Sequence, residues 1–139
     1  MGRPRSFDEG AALSQAAALF AEHGYEGTSV DDLVRGLGIH RGSLYAAFGS
    51  KRALYLRVLA EHVVALEGDD RARVDLTLLL RAAVERAPVD AEASALVGRG
   101  FRALQRDLPP ADPEAALAAV LGRHLIRRAT GSDPIQEGT

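Results

Sequence analysis

Residues 28–51 read TSVDDLVRGLGIHRGSLYAAFGSK, and the fold turns on how this stretch is read. Thr28 or Ser29 can cap a helix whose first turn carries Asp31 and Asp32, where the helix dipole favours carboxylates. Val30, Leu33, Val34 and Leu37 give that helix one apolar face. Gly38 permits a tight turn, and a second helix begins at Ile39, buried through Ile39, Leu44 and Phe48. Gly49-Ser50 ends it, and Ser50 caps a longer helix from about Lys51 to Leu66. Two short helices across a glycine turn form a helix-turn-helix, an arrangement suited to laying its second helix into the DNA major groove.

Upstream, MGRPR is a short basic arm, and Ser6 with Glu9 makes a capping box. Leu13, Ala16, Ala17 and Phe20 recur at i, i+3, i+4 and i+7, the stripe of an amphipathic helix. Gly24 suits the left-handed position that ends it, and Tyr25 folds back onto the core. Downstream, Gly68-Asp69-Asp70 is the best boundary. Three further helices are expected over about 72–86, 90–106 and 113–129. The last opens on Asp112-Pro113-Glu114, an N-cap, a proline at the first helical position and an acid in the first turn. No strand pattern or internal repeat intrudes, so the expected class is all-α. The expected division is a helix-turn-helix head over 1–50, a connecting helix over 51–67, a short helical body over 68–131 and a flexible tail over 132–139.

Composition narrows the function. Of 139 residues, 47% are hydrophobic and 26% charged, a globular balance. The chain has no cysteine, which removes disulfides and thiolate metal sites and is compatible with a reducing cytosol. Neither a membrane-spanning run nor a signal-peptide core is present, so a soluble cytoplasmic protein without membrane partners is expected. The net charge of −2 does not announce a nucleic-acid binder, and residues 1–67 hold seven Arg/Lys against eight Asp/Glu. DNA binding must therefore come from where the positive charges sit.

The block SQAAALFAEHGYEGTSVDDLVRGLGIHRGSLYAAFGSKRALYLRVL resembles the N-terminal domain of tetracycline-repressor (TetR/AcrR) family regulators. The likeness covers about residues 6–62 and rests on several elements at matching spacing: LF-x-x-x-GY-x-x-TSV, then LG-I-x-x-G-S-LY-x-x-F-x-SK. It implies a homodimer reading a palindromic double-stranded operator, with recognition helices one DNA turn apart or a multiple of it. It also implies a helical C-terminal domain that binds a small-molecule effector and releases DNA. The 72 residues from 68 to 139 are fewer than that domain usually has, and three helices leave little room both to enclose a cavity and to cover a dimer seam.

Within this reading the DNA-facing residues are Thr28, His40, Arg41, Gly42, Ser43, Tyr45 and Lys51, with arm contacts from Arg3 and Arg5. Arg41 can donate two hydrogen bonds to guanine, a contact worth about 1–3 kcal/mol of discrimination; a solvated surface charge is the alternative. Ser43 can reach a base or a phosphate, and Gly42 lets the helix backbone approach closely. Tyr45 matches a family position that often bonds phosphate, or else closes the head as a partly buried ring. Lys51 opposes the helix dipole at its own N-terminus, a placement that suits a phosphate better than it suits stability. Thr28 offers a hydroxyl at the start of helix two. His40 departs from the small hydroxyl residue usual at that position and is a poorer cap, and Ala46-Ala47 removes contacts that bulkier residues would make.

In the body, Leu117, Val120, Leu121, His124 and Leu125 form the expected dimer seam. Gly98, Gly100 and Gly122 either allow close helix approach or merely lower helix propensity. His23, His62 and His124 lack a partner at metal-ligand spacing. No nucleophile elbow, phosphate loop or paired carboxylates emerge, so neither an enzyme nor a cofactor is expected. Three readings remain: a ligand-released repressor, a regulator without a pocket, and an interaction module that no longer binds DNA and pairs with other helical proteins.

Overall fold

The computed structural model describes residues 7–109 and 111–131. These form seven α-helices and one 3₁₀ turn, with no strand among the described residues: α1 Glu9–His23, α2 Val30–Leu37, α3 Arg41–Phe48, α4 Lys51–Glu67, the turn Arg71–Arg73, α5 Thr77–Glu85, α6 Ala91–Gln105 and α7 Pro113–Thr130. The all-α expectation holds.

The starts and stops follow local chemistry. Asp8 caps α1 by accepting from the Gly10 and Ala11 N–H groups, so the helix begins later than a Ser6 cap would have it; Ser6 and the basic arm lie outside the described residues. Ser29, not Thr28, caps α2, and a reciprocal capping box joins it to Asp32. Gly38 adopts φ 66°, and both its N–H and that of Ile39 bond the Val34 carbonyl. That closure holds Ile39 in the turn, and α3 starts two residues later than its apolar pattern suggested. The helix expected over 72–86 is cut short at its front. Arg71–Arg73 turn separately, and the Asp75 carboxylate accepts from the Thr77 N–H to open α5.

Leu54, Tyr55, Val58, Leu59, Val63 and Leu66 of α4 are all buried, so this helix is apolar on more than one side and needs neighbours on more than one side. It packs against α1 of the head and against α5 and α6 of the body. Arg52 near its start meets Asp90 and Glu92 at the start of α6, while Glu67 at its end meets Arg99 further along α6 and Arg106 just past its end. The two helices therefore run parallel, with α5 returning the chain between them.

The expected dimer seam mostly faces inward. Leu117 is buried, Val120 and Leu121 pack against the core, and His124 Nε2 lies 3.1 Å from Thr77 Oγ1. Spaced i, i+3, i+4 and i+7, these residues are the face α7 lays on its own chain. Leu125 and Ile126 stay outside, 55% and 64% exposed.

A groove of about 590 Å³ runs between α1, α4 and α5, bordered by Ala17, Ala21, Glu22, His62, Asp75 and Arg128. His62 Nε2 is buried beside it with no hydrogen-bond partner among the described residues. Burial pushes this imidazole below its usual value of 6.5, and the Asp75 carboxylate pulls weakly the other way. A depressed native value means that the unfolded chain takes the proton first, so this contribution to stability is complete above about pH 6.5 and lost as the pH falls. The melting temperature should drop between pH 7 and pH 5, and thermal melts of His62→Gln should show a flatter dependence.

The glycines in the body separate by surroundings. A Cβ on buried Gly100 would sit 2.8 Å from Leu79 Cδ1 and 3.5 Å from Val63 Cγ2, whereas one on Gly122 meets nothing within 4 Å. Urea unfolding should find Gly100→Ala destabilised by about 1–3 kcal/mol through overpacking. Gly122→Ala should gain up to about 1 kcal/mol from helix propensity.

Candidate nucleic-acid interface

The second helix of the pair, α3, is pinned from beneath and open above. Leu44 is fully buried and Phe48 nearly so, while His40, Arg41 and Gly42 are exposed and Tyr45 is 41% exposed. Ser43 is half-buried at the edge of that face. His40 occupies the N-cap without any side-chain cap bond, as a histidine there implies. Gly42 has a negative φ, and a Cβ on it would meet nothing within 4 Å. Nothing among the described residues requires a glycine at this point of the helix, and α3 accepts the propensity cost of about 1 kcal/mol.

The cations around α3 already have partners within the chain. The Arg41 guanidinium pairs with the Asp31 carboxylate of α2, both groups being well exposed, so the pair is weak and easily exchanged. Lys51 Nζ lies 4.2 Å from the centre of the Tyr25 ring, a cation–π contact worth about 0.5–2 kcal/mol. That contact offsets the poor placement of a lysine at a helix start, so Lys51 has a structural reason to be there besides any phosphate. Arg3 and Arg5 lie outside the described residues.

Thr28 does not fit the interface. Its side chain is fully buried and its hydroxyl donates to the Gly24 carbonyl at 2.7 Å. The hydroxyl thus ties the end of α1 to the start of α2 and offers nothing outward.

These short helices, their glycine turn and the open outer face of α3 fall inside a recognised pattern. Residues 12–58 match the model of bacterial regulatory proteins of the tetR family. Over this stretch the chain is similar to the tetR family. Among curated relatives, the uncharacterized HTH-type transcriptional regulator YezE of Bacillus subtilis (strain 168) is 46% identical over 72 residues, 52% of this chain and 36% of that protein. The HTH-type transcriptional repressor BdcR of Escherichia coli (strain K12) is 50% identical over 62 residues, 45% of this chain and 32% of its own length. The repressor ComR of the same organism is 47% identical over 62 residues, covering 45% and 30%. The match therefore spans about a third of each of these relatives. A solved tetR family transcriptional regulator, PfmR from Thermus thermophilus, aligns over 95% of this chain and 76% of its own at 25% identity with a TM-score of 0.37.

Behind the tetR-type head lies a polar network that no local pattern announced. Arg52 donates to both Asp90 oxygens at 2.9 and 3.1 Å and to Glu92 at 3.2 Å. Arg86 donates to Asp90 and to Glu26, each at 3.4 Å, and its guanidinium carbon lies 4.1 Å from the Tyr25 ring centre. The fork of Arg52 and the capped backbone N–H groups of α6 hold the Asp90 carboxyl far below the usual range, although burial opposes this. Asp90 is 38 residues from Arg52 in sequence, a separation that no local pattern bridges.

Thr28→Val is expected to lower stability by about 1–3 kcal/mol, because the buried Gly24 carbonyl loses its donor. The same variant should leave affinity for duplex DNA unchanged in a gel-shift titration under conditions where it remains folded.

Proposed function

We propose that the chain is a sequence-specific DNA-binding transcriptional regulator, acting as a repressor, with α3 entering the major groove. The observation that carries this reading is the outer face of α3. It presents exposed His40, Arg41, Gly42 and Tyr45 on a helix fixed from below, in a head similar to the tetR family. Two of the relatives are named repressors, which favours repression over activation. Arg41 exchanges Asp31 for a base edge, Tyr45 and Lys51 meet phosphates, and Gly42 gives the helix backbone room to approach.

The reading includes a homodimer on a palindromic operator. With the inner face of α7 taken up by its own chain, the apolar side chains left for pairing include Leu125 and Ile126. It also includes release by a small-molecule effector. The groove beside His62 supports that part, being a concave space between the head's α1 and the body.

Selection of duplexes from a random pool, followed by gel-shift titration across salt concentrations, tests the proposal. Arg41→Ala should weaken binding by about 1–3 kcal/mol and relax one base position. Lys51→Ala should weaken binding to all sequences alike and reduce the salt slope by about one. Gly42→Ala should bind more weakly while melting at a higher temperature, since only the DNA complex needs the space. If the folded chain recovers no duplex even at low salt, the interaction-module reading takes over.

A further inference from the structure

The start of α4 carries Lys51 and Arg52 and no acid in its first turn, so its own residues worsen the electrostatics of a helix N-terminus. The compensating negative charge comes from another helix. Asp90, at the N-cap of α6, is only 8% exposed, and its two oxygens divide the work. Oδ1 accepts from the Glu92 and Ala93 N–H groups at 3.1 and 3.3 Å and from Arg52 Nη2. Oδ2 accepts from Arg52 Nε and Arg86 Nη2. Arg86 in turn lies against the Tyr25 ring that also receives Lys51. One carboxylate therefore connects to the lysine beside α3 by two routes, through Arg86 and the Tyr25 ring and through Arg52, the next residue in sequence.

Other attachments hold the same corner. Tyr25 packs on Phe20 and edge-on to Tyr55, its N–H reaches Glu85, and Arg81 donates to the Glu22 carbonyl. These fix the loop after α1 against α5. Lys51 meets the same Tyr25 ring that they hold, whereas the Arg52 guanidinium is held apart from them, by Asp90 and Glu92.

We propose that Asp90 is a positioning residue for DNA binding, fixing the first turn of α4 so that Lys51 meets a phosphate while α3 lies in the groove. This rests on the DNA-binding reading above. Asp90 lies at the start of α6 and contacts Arg52 and Arg86, not the exposed face of α3. Its contribution opposes what its charge alone would do: removing a carboxylate near a polyanion's site should tighten binding, whereas removing this one should weaken it.

Asp90→Asn is the decisive variant. Asparagine caps helices as well as aspartate, so its carbonyl keeps the two N–H groups of α6. Its amide NH₂ group faces Arg52 Nε and Arg86 as a donor against donors. Affinity is measured by fluorescence anisotropy, using the duplex that the unaltered chain recovers from a random pool, alongside circular dichroism and thermal melts. Asp90→Asn is expected to lose about tenfold in affinity, the size of one charge-assisted hydrogen bond, with a salt slope reduced by about one. In a Lys51→Ala background it should cost little more, since the two act through the same contact.

Arg52→Lys provides a second arm should Asp90→Asn fail to fold. It keeps the charge but loses the fork, and its affinity should fall in the same way. Unchanged or tighter binding by both variants, or an equal loss with and without Lys51, overturns the proposal while the DNA reading stands. Failure of the unaltered chain to recover any duplex overturns both.

Discussion

The ring of Tyr25 is one place where the helices before and after α4 are held to it and to each other. It sits immediately beyond the glycine that ends α1, 4.9 Å edge-on from the Tyr55 ring of α4, while Phe20 meets Tyr55 edge-on at 5.0 Å. Such pairs add about 0.5–1.5 kcal/mol each beyond the area they bury. Burial here also pushes the Tyr55 hydroxyl up to about 12, keeping it neutral in the core. The helix-turn-helix begins three residues later, so its orientation relative to α4 depends on this cluster. The body reaches it too, through Arg86 on the open ring and Glu85 on the Tyr25 N–H.

The electrostatics show why total charge misleads. A chain of net charge −2 has no surplus to attract a polyanion, and near the interface its cations are engaged: Arg41 on Asp31, Lys51 on a ring, Arg52 on Asp90 and Arg57 on Glu9. These arrangements are unequal. The Arg41–Asp31 pair lies in water and exchanges at almost no cost. The Arg52–Asp90 pair has one partner nearly buried, and breaking it would strand a carboxylate, so it behaves as framework. Cations available to a partner and cations committed to the fold thus sit side by side in the same turn of helix, at Lys51 and Arg52.

The head was legible because its determinants are local. Capping residues, the i, i+3, i+4 stripe of α1 and the glycine at Gly38 each act within a few residues, and α1 to α4 fall close to where those signals put them. Errors came where distant contacts decide. Thr28 looked like an outward hydroxyl because its sequence neighbours are helix-starting, yet its depth in the core is set by packing of the α1–α2 corner. The stripe of Leu117, Val120, Leu121 and His124 correctly marked a buried face of α7, but periodicity states only that a face is buried and not against what. Asp90 carried no visible sign of Arg52, since the parallel run of α4 and α6 exists only after α5 has turned the chain back.

Within the head, α1, α2 and α4 each start under a side chain: Asp8, Ser29 and Ser50. The start of α3 has no such cover, because His40 makes no cap bond. The first N–H groups of α3 thus have no side-chain acceptor among the described residues, at the end of the helix that also holds Arg41 and Gly42. A phosphate oxygen arriving there would complete the helix as well as bind to it. Occupancy and the order of this helix end would then rise together, so that one short helix is finished only when the protein is in use.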